Sequence, residues 1–436
     1  MSDRLIPVKL KSATLDEEVL SVVFPSGLRV FHCPKPGFRK RYACYATYYG
    51  SVDSAFELGT AGPRRVPDGI AHFLEHTLFE TEEGNVSDLF SRNGAYNNAA
   101  TSFTTTSYLF ACTERFYPNL ELLIRFVENP VFDPAKVEKE KGIIEQEIRG
   151  YDDSPAWVGY MGLLENLFAQ HPIRIDIAGT AESIRAIDSE SLHLCYRAFY
   201  QPENMILFVV GDLDSDELIE FVRAQSRWSQ NGDPAAGKSP VRRIYPAESE
   251  TVFRSETRRA MEVAVPKLFL GFKETGVPES GESYLRRELA AELGLEMLLG
   301  SSSDLYRTLY EKHWILDDFS AGYGAGAGIG YALIEGDTPQ PDLLRDAIVE
   351  AAREVRAAGL DKDSFERGKR RFLGGFIRGF NSLEYIANHF TYYRFHDLDL
   401  FSAVDVLAAI DYDEVEERLR QLLNPDSFAT FVVEPR

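Results

Sequence analysis

The strongest constraint on the fold of this chain is that it carries one pattern twice. Ile187-Asp188, followed by Pro202-Glu203-Asn204-Met205-Ile206-Leu207-Phe208-Val209-Val210, recurs as Ile410-Asp411, followed by Pro425-Asp426-Ser427-Phe428-Ala429-Thr430-Phe431-Val432-Val433. The displacement is 223 residues at both ends, Ile187 to Ile410 and Val210 to Val433, so the two copies align without a gap. Val137-Glu138 and Lys141 likewise recur as Phe365-Glu366 and Lys369, displaced by 228. Repetition at a nearly constant offset means one architecture built in succession. The run Asn231-Gly232-Asp233-Pro234-Ala235-Ala236-Gly237-Lys238-Ser239-Pro240 between the copies has linker composition. The expected organisation is therefore a domain over 1–230, a linker over 231–249 and a second domain over 250–436. Strand-like hairpins alternate with helical pairs in both halves, which makes the class α+β.

The first half opens on strand signals, Val19 to Phe24 and Leu28 to His32 around Pro25-Ser26-Gly27, then Tyr42 to Tyr49. Threonine and aromatic residues from Ala99 to Thr106 and from Tyr108 to Thr113 favour two more strands. Helical patterns follow, among them Ala156 to Gln170 and Ser183 to Tyr200, leading into the strand Met205 to Val210.

Between those strands lies His72-Phe73-Leu74-Glu75-His76. Ile70, Phe73, Leu74 and Leu78 fall at helical spacing, which predicts a helix from Pro67 to Phe79 entered through Pro67-Asp68. Residues i and i+4 of a helix share a face, about 5–6 Å apart at Cβ, so both imidazoles point one way. Two neutral imidazoles suit zinc, and a carboxylate beside them suits a general base. The order His-x-x-Glu-His is that of the inverted zincins. Five residues also coincide by chance, and paired helical histidines are common on surfaces and in cores, so a third ligand has to be found. A helix predicted from Asp133 to Tyr151, with Asp133 as N-cap and Pro134 at its first position, supplies candidates. Glu140 and Glu147 lie two turns apart on a stripe that also carries Ile143 and Ile144. Spacing leaves Glu145 and Glu147 both open as the ligand. The remaining histidines have no partner at ligand spacing and read as structural.

Composition excludes several alternatives. A net charge of −21 argues against a nucleic-acid partner, which requires a basic surface. No apolar run approaches the ~18 residues of a membrane-spanning helix, and the start lacks a signal-like apolar region. Cys33, Cys44, Cys112 and Cys195 show no metal or redox spacing and read as buried thiols, so a cytoplasmic location is expected. The run Gly322-Tyr323-Gly324-Ala325-Gly326-Ala327-Gly328-Ile329-Gly330 has no Gly-Lys-Ser/Thr ending and reads as a strand with one bare face, not a phosphate loop.

His72-x-x-Glu75-His76 followed by Glu140 and Glu147 resembles the insulinase/pitrilysin (M16) metallopeptidases, a family that includes the mitochondrial processing peptidases. Gly94-Ala95, Asn98-Ala99, Thr101, Tyr108, His171-Pro172, Gly179-Thr180 and Asn204-Met205 extend the likeness over essentially the whole chain. The resemblance implies two M16-type (LuxS/MPP-like) domains, each a mostly antiparallel sheet with packed helices. It implies zinc (Zn2+) on His72, His76 and Glu147, with Glu75 as general base and Glu140 supporting the site. It further implies a peptide substrate lying along the strand that contains Asn98 and Ala99. At the 228 offset Glu140 becomes Gly368 and Glu147 becomes Gly375, so the second half lacks the ligands. Where active relatives carry an Arg and, seven residues on, a Tyr, this chain has Tyr310 and Asp317. It is thereby similar to the zinc-bearing subunit of the paired bacterial type, expected to form a heterodimer with a second M16 subunit, or a homodimer. A chamber closed by both subunits would admit short or unfolded peptides. The alternative is a non-catalytic structural or peptide-binding subunit, which has no need to keep all four of His72, Glu75, His76 and Glu147.

Overall fold

The computed structural model describes residues 7–12, 14–60, 62–81, 84–230 and 241–436. The apolar runs repeated in the sequence become the buried strands Met205–Gly211 and Phe428–Pro435. Each inserts between two strands from the start of its half. Met205–Gly211 runs parallel to Arg29–Pro34 and antiparallel to Arg41–Thr47. Phe428–Pro435 runs parallel to Glu256–Met261 and antiparallel to Lys267–Thr275. A strand covered on both faces needs no polar alternation, which is why both runs are almost wholly apolar.

The first sheet continues outward through Thr106–Cys112 to Tyr96–Thr101, the second through Ile329–Asp337 to Ser320–Gly326. Five strands thus share one order and one set of directions in the two halves, and Glu18–Val23 and Val8–Lys11 extend the first sheet to seven. The expected α+β architecture of two mostly antiparallel sheets with packed helices is the one observed.

Each sheet buries one face under helices of its own half and the other under a helix donated by the opposite half. Pro155–Leu167 lies on Phe428–Pro435 and Lys267–Thr275, while Leu383–Phe395 lies on Met205–Gly211 and Arg41–Thr47. The donated helices are themselves 228 apart, Pro155 to Leu383 and Leu167 to Phe395. Phe31, Phe208 and Phe390 stack across one of these seams, and Leu163, Leu167, Phe269 and Phe431 fill the other. Gly162 has to be glycine because a Cβ there would lie 2.1 Å from the Phe431 ring.

Several expected boundaries change. The segment Ser183 to Tyr200 is two helices, Ala181–Arg185 and Ser189–Phe199, because Asp188 caps the second by accepting from the Ser191 N–H. The strand expected over Ala99 to Thr106 is Tyr96–Thr101 followed by a turn through Ser102 to Thr105. The glycine-rich run is a hairpin, Ser320–Gly326 and Ile329–Asp337, that reverses at Ala327 and Gly328 with φ of 53° and 79°. Two left-handed residues in succession match the twist of the flanking strands. All four cysteines are buried and free.

The expected linker is only partly open to description. Residues 231–240 lie outside the described residues, and Val241–Arg243 pairs antiparallel with Ala55–Leu58 of the first half. Glu248 then fastens the joint. Its side chain, 3% exposed, accepts from the backbone N–H groups of Ala169, Gln170 and His171 at 3.1, 2.7 and 2.7 Å. It also pairs with the Lys273 ammonium of the second sheet at 2.8 Å. Against the cost of burial, Lys273 and the three amides hold the Glu248 carboxyl down at about 2. A depressed carboxyl stabilises the fold above its ordinary titration range and loses that contribution as pH falls through it. Glu248→Gln is expected to cost about 1–3 kcal/mol at pH 7, with the difference from the parent closing between roughly pH 4.5 and 2. Urea unfolding across that range measures it, and a pH-independent difference would contradict the assignment.

Candidate metal centre

The histidine helix is Ile70–Leu78, a nine-residue element in which every side chain except His76 is buried. It starts later than Pro67 because Gly69, at φ 87°, turns the chain into it. A Cβ on Gly69 would stand 2.3 Å from the Ala178 carbonyl oxygen, so this tight entry admits only glycine. Phe73, Leu74 and Leu78 pack into the core and aim the opposite edge of the helix outward. The two imidazoles sit there with ring centroids 4.6 Å apart.

The glutamate helix, Pro134–Asp152, is capped as the sequence predicts, Asp133 accepting from the N–H groups of Ala135 and Lys136. Ile144 and Val137 anchor it to the core and bring Glu140 and Glu147 up to the histidines. His76 Nδ1 donates to Glu140 Oε1 at 2.9 Å, and His76 Nε2 lies 3.3 Å from Glu147 Oε2. His72 Nε2 lies 3.7 Å from Glu147 Oε1. Glu145 points elsewhere, pairing with Arg149 and Arg185 at 2.9 Å each, and of the two candidates it is Glu147 that faces the imidazoles. Glu75 is buried on the same helix edge and accepts from the Thr101 hydroxyl at 2.7 Å.

His72, His76 and Glu147 offer donor atoms within 4.8 Å of one another, the one such group of three among the described residues. Donors held about 2.0–2.1 Å from zinc at tetrahedral angles are about 3.4 Å apart. The 3.3 and 3.7 Å contacts are close to that length, each to a different oxygen of Glu147, and with one donor atom from each residue all three lie within 4.8 Å. The donor set of two imidazoles and a carboxylate also fits, as does the carboxylate behind His76 that fixes its ring from the far side. The second imidazole lacks that support: His72 Nδ1 is buried with no hydrogen-bond partner among the described residues.

Electrostatics among these groups are lopsided. Burial pushes the His72 imidazole down to about 4. Burial also opposes charge on His76, but hydrogen bonds to Glu140 and Glu147 outweigh it and hold the imidazole up at about 10. The bond to His76 draws Glu147 down to about 2, whereas burial raises Glu75. One proton on His76 thus serves as a cation between two carboxylates.

A cavity of about 380 Å3 opens over these groups, bounded by Tyr151, Trp157, Asp176 and by Asn98, Ala99 and Thr101 of the strand Tyr96–Thr101. Among the described residues that strand ends its sheet, pairing only with Thr106–Cys112, so its outer edge runs free past Glu75. Tyr151 is the residue that sequence reading missed. Its hydroxyl donates to Glu147 Oε1 at 2.6 Å, and its place four residues after Glu147 on one helix face was the available signal. Histidines read as structural have ordinary partners: His32 with Ser215, His171 with the Ala327 carbonyl, His193 against the Phe132 ring.

Residues 61–181 match the family model for insulinase (peptidase family M16), and residues 186–372 match that for the peptidase M16 inactive domain. Over 424 residues, 97% of this chain and 98% of the relative, the sequence is 43% identical to the Bacillus subtilis (strain 168) protein named "Uncharacterized zinc protease YmfH". A crystal structure of an M16-like peptidase from Alicyclobacillus acidocaldarius superimposes with a TM-score of 0.91 at 34% identity, covering 98% of this chain and all of that one. A Helicobacter pylori protease shares the fold at a TM-score of 0.79 and 20% identity. The chain belongs to peptidase family M16.

With its imidazole held up at about 10 by Glu140 and Glu147, His76 would give up a proton on binding zinc at neutral pH. Calorimetry at pH 7.5 in buffers of different ionisation enthalpy is expected to show release of about one proton, with affinity rising up to tenfold per pH unit below about 10. Binding without proton release would contradict the shared-proton arrangement.

Proposed function

We propose that this chain is the zinc-bearing subunit of an endopeptidase that cleaves short or unfolded peptides. The observation that carries this is the meeting of His72, His76 and Glu147 beside Glu75, at the free edge of Tyr96–Thr101. Zinc fits on His72, His76 and Glu147, where it would act as a Lewis acid on the scissile carbonyl and lower the pKa of the attacking water. Glu75 takes the proton from that water as the new C–O bond forms, then delivers it to the departing amine nitrogen as the C–N bond breaks. Burial raises the Glu75 carboxyl above its ordinary range, while the Thr101 hydroxyl fixes its direction. Glu140 holds the His76 ring and Tyr151 holds Glu147, so both ligands keep their orientation. The peptide adds as a further strand along Asn98 and Ala99, which supplies main-chain affinity with little sequence demand. A second cavity of about 360 Å3, bounded by Phe79, Glu80, Asn85 and Ile143, lies beyond His76 and gives room for a side chain on the other side of the cleaved bond.

The partner requirement rests on what the cavity lacks. No Lys or Arg lines the space above Glu75 among the described residues. Arg307 is exposed and paired with Asp304, and Tyr310 is 50% exposed. A developing oxyanion needs donors aimed at it. A second M16 subunit supplying an Arg/Tyr pair across the chamber meets that need. The same missing cation favours the competing reading, a peptide-binding subunit without catalysis.

Glu75→Gln separates the two. In a complex with the partner, the variant is expected to retain its zinc and lose roughly 10²–10⁴-fold in cleavage rate. A zinc-loaded parent complex that binds peptides and cleaves none would establish the binding subunit instead. Rapid Glu75-dependent turnover by the chain alone would remove the partner.

A further inference from the structure

The duplication places a second cavity where the metal centre would lie in the second half. In each half one helix lies in chain order between the equivalent strands Arg41–Thr47 or Lys267–Thr275 and the edge strand, and packs on both the edge strand and the long helix that follows. These are Ile70–Leu78 with Pro134–Asp152, and Gly281–Leu299 with Lys362–Gly379. The donated helix closes the same side, Pro155–Leu167 in one case and Leu383–Phe395 in the other. Between Gly281–Leu299, Lys362–Gly379 and Leu383–Phe395 lies a cavity of about 460 Å3, within the range of small-ligand sites.

Its chemistry differs from that of the metal centre. On the helix equivalent to the histidine helix, Glu288 and Glu292 stand one turn apart as His72 and His76 do. On the partner helix, glycines replace the ligand-bearing positions and Phe372 and Phe376 face the space, joined by Tyr385 and Tyr392 from the donated helix. Glu288 Oε1 accepts from the Tyr392 hydroxyl at 2.9 Å, but its Oε2 is buried without a hydrogen-bond partner among the described residues. Glu292 Oε1 accepts from the Tyr323 N–H at 2.7 Å. No Lys or Arg lines the cavity among the described residues. Burial without a counter-charge pushes the Glu288 carboxyl up to about 7. Among the described residues Glu288 and Glu292 do not gather with a third donor as His72, His76 and Glu147 do.

We propose that this cavity binds an organic cation, a guanidinium or ammonium group carried on a basic side chain of a bound peptide or on a free small molecule. Paired carboxylates supply the charge and the aromatic side chains of Phe372, Phe376, Tyr385 and Tyr392 line the same space, the two components of cation recognition. The peptide source rests on the peptidase reading; the cation site does not. The pseudo-equivalent positions of the two halves would then divide the work, one cutting the peptide and the other holding a basic residue of it.

The test uses the full zinc-loaded chain with Glu75→Gln, so that nothing is cleaved. Calorimetry compares three probes: acetyl-Ala-Ala-Arg-Ala-Ala-amide, its citrulline counterpart, which keeps the shape and removes the charge, and N-acetylarginine amide. The arginine peptide is expected to bind roughly tenfold more tightly than the citrulline peptide. Glu288→Gln, which can still accept from Tyr392, and Phe376→Leu, which keeps both carboxylates, are each expected to erase most of that preference with zinc content unchanged. N-acetylarginine amide binding as tightly as the pentapeptide supports a free cation as the ligand; tighter binding of the pentapeptide supports a peptide side chain. Equal affinity for arginine and citrulline peptides, or an arginine preference that survives both replacements, would overturn the proposal. Because no cleavage is read, failure of the peptidase reading leaves this result intact and separately interpretable.

Discussion

The proposed metal chemistry depends on His76 being gripped from both sides by one helix. Its Nδ1 donates to Glu140 and its Nε2 faces Glu147, and those two carboxylates stand two turns apart on Pro134–Asp152. A charged network of this kind is worth keeping in a half-buried site only if its members satisfy one another, because an unpaired buried charge is costly. The core beneath both helices makes the geometry reproducible. Phe73, Leu74 and Leu78 under one and Val137 and Ile144 under the other fix the distance and rotation at which the donors meet. Within that frame, Tyr151 and Thr101 each hold one carboxylate with a hydroxyl, so orientation passes from packed elements to reactive atoms.

The duplication explains how so open a site stays rigid. Each half lends a helix to the far face of the other's sheet, so neither sheet is covered without its counterpart. Trp157, which bounds the cavity above Glu75, belongs to such a donated helix. The metal centre is therefore built partly on an element whose packing partner is the second half. That half repeats the frame but carries Gly368 and Gly375 where the first carries Glu140 and Glu147, and Phe372 and Phe376 of the same helix line the aromatic cavity. Architecture survived the change of side chains because it is held by the strands and the donated helices, whose apolar positions the two copies share.

Much of this was legible in the amino-acid sequence, and the reasons differ by feature. The repeated apolar runs are central strands, and burial on both faces is what made them stand out and align. The histidine pair and the two glutamates could be placed on helix faces because 3.6-residue spacing is a property of local backbone geometry. What spacing could not supply was rotation: Glu145 and Glu147 differ by two positions, and only packing of Ile144 turns Glu147 to the metal donors and Glu145 to Arg149 and Arg185. The break at Asp188 was hidden because its cap acts through a side-chain hydrogen bond rather than a change in hydrophobic pattern. Tyr151, Trp157 and Asp176 come together through a tertiary contact of two helices and a loop, which no single segment encodes. The glycine-rich hairpin deceived for the opposite reason, since alternate glycines look alike whether the strand continues or reverses.

The central claim is the position of one ion. Anomalous diffraction at the zinc absorption edge, from crystals of the purified chain grown without chelator, tests it most directly. A single strong peak bonded to His72 Nε2, His76 Nε2 and the Glu147 carboxylate is the expected result. A peak elsewhere, with Glu147 turned away from both imidazoles, would contradict the account.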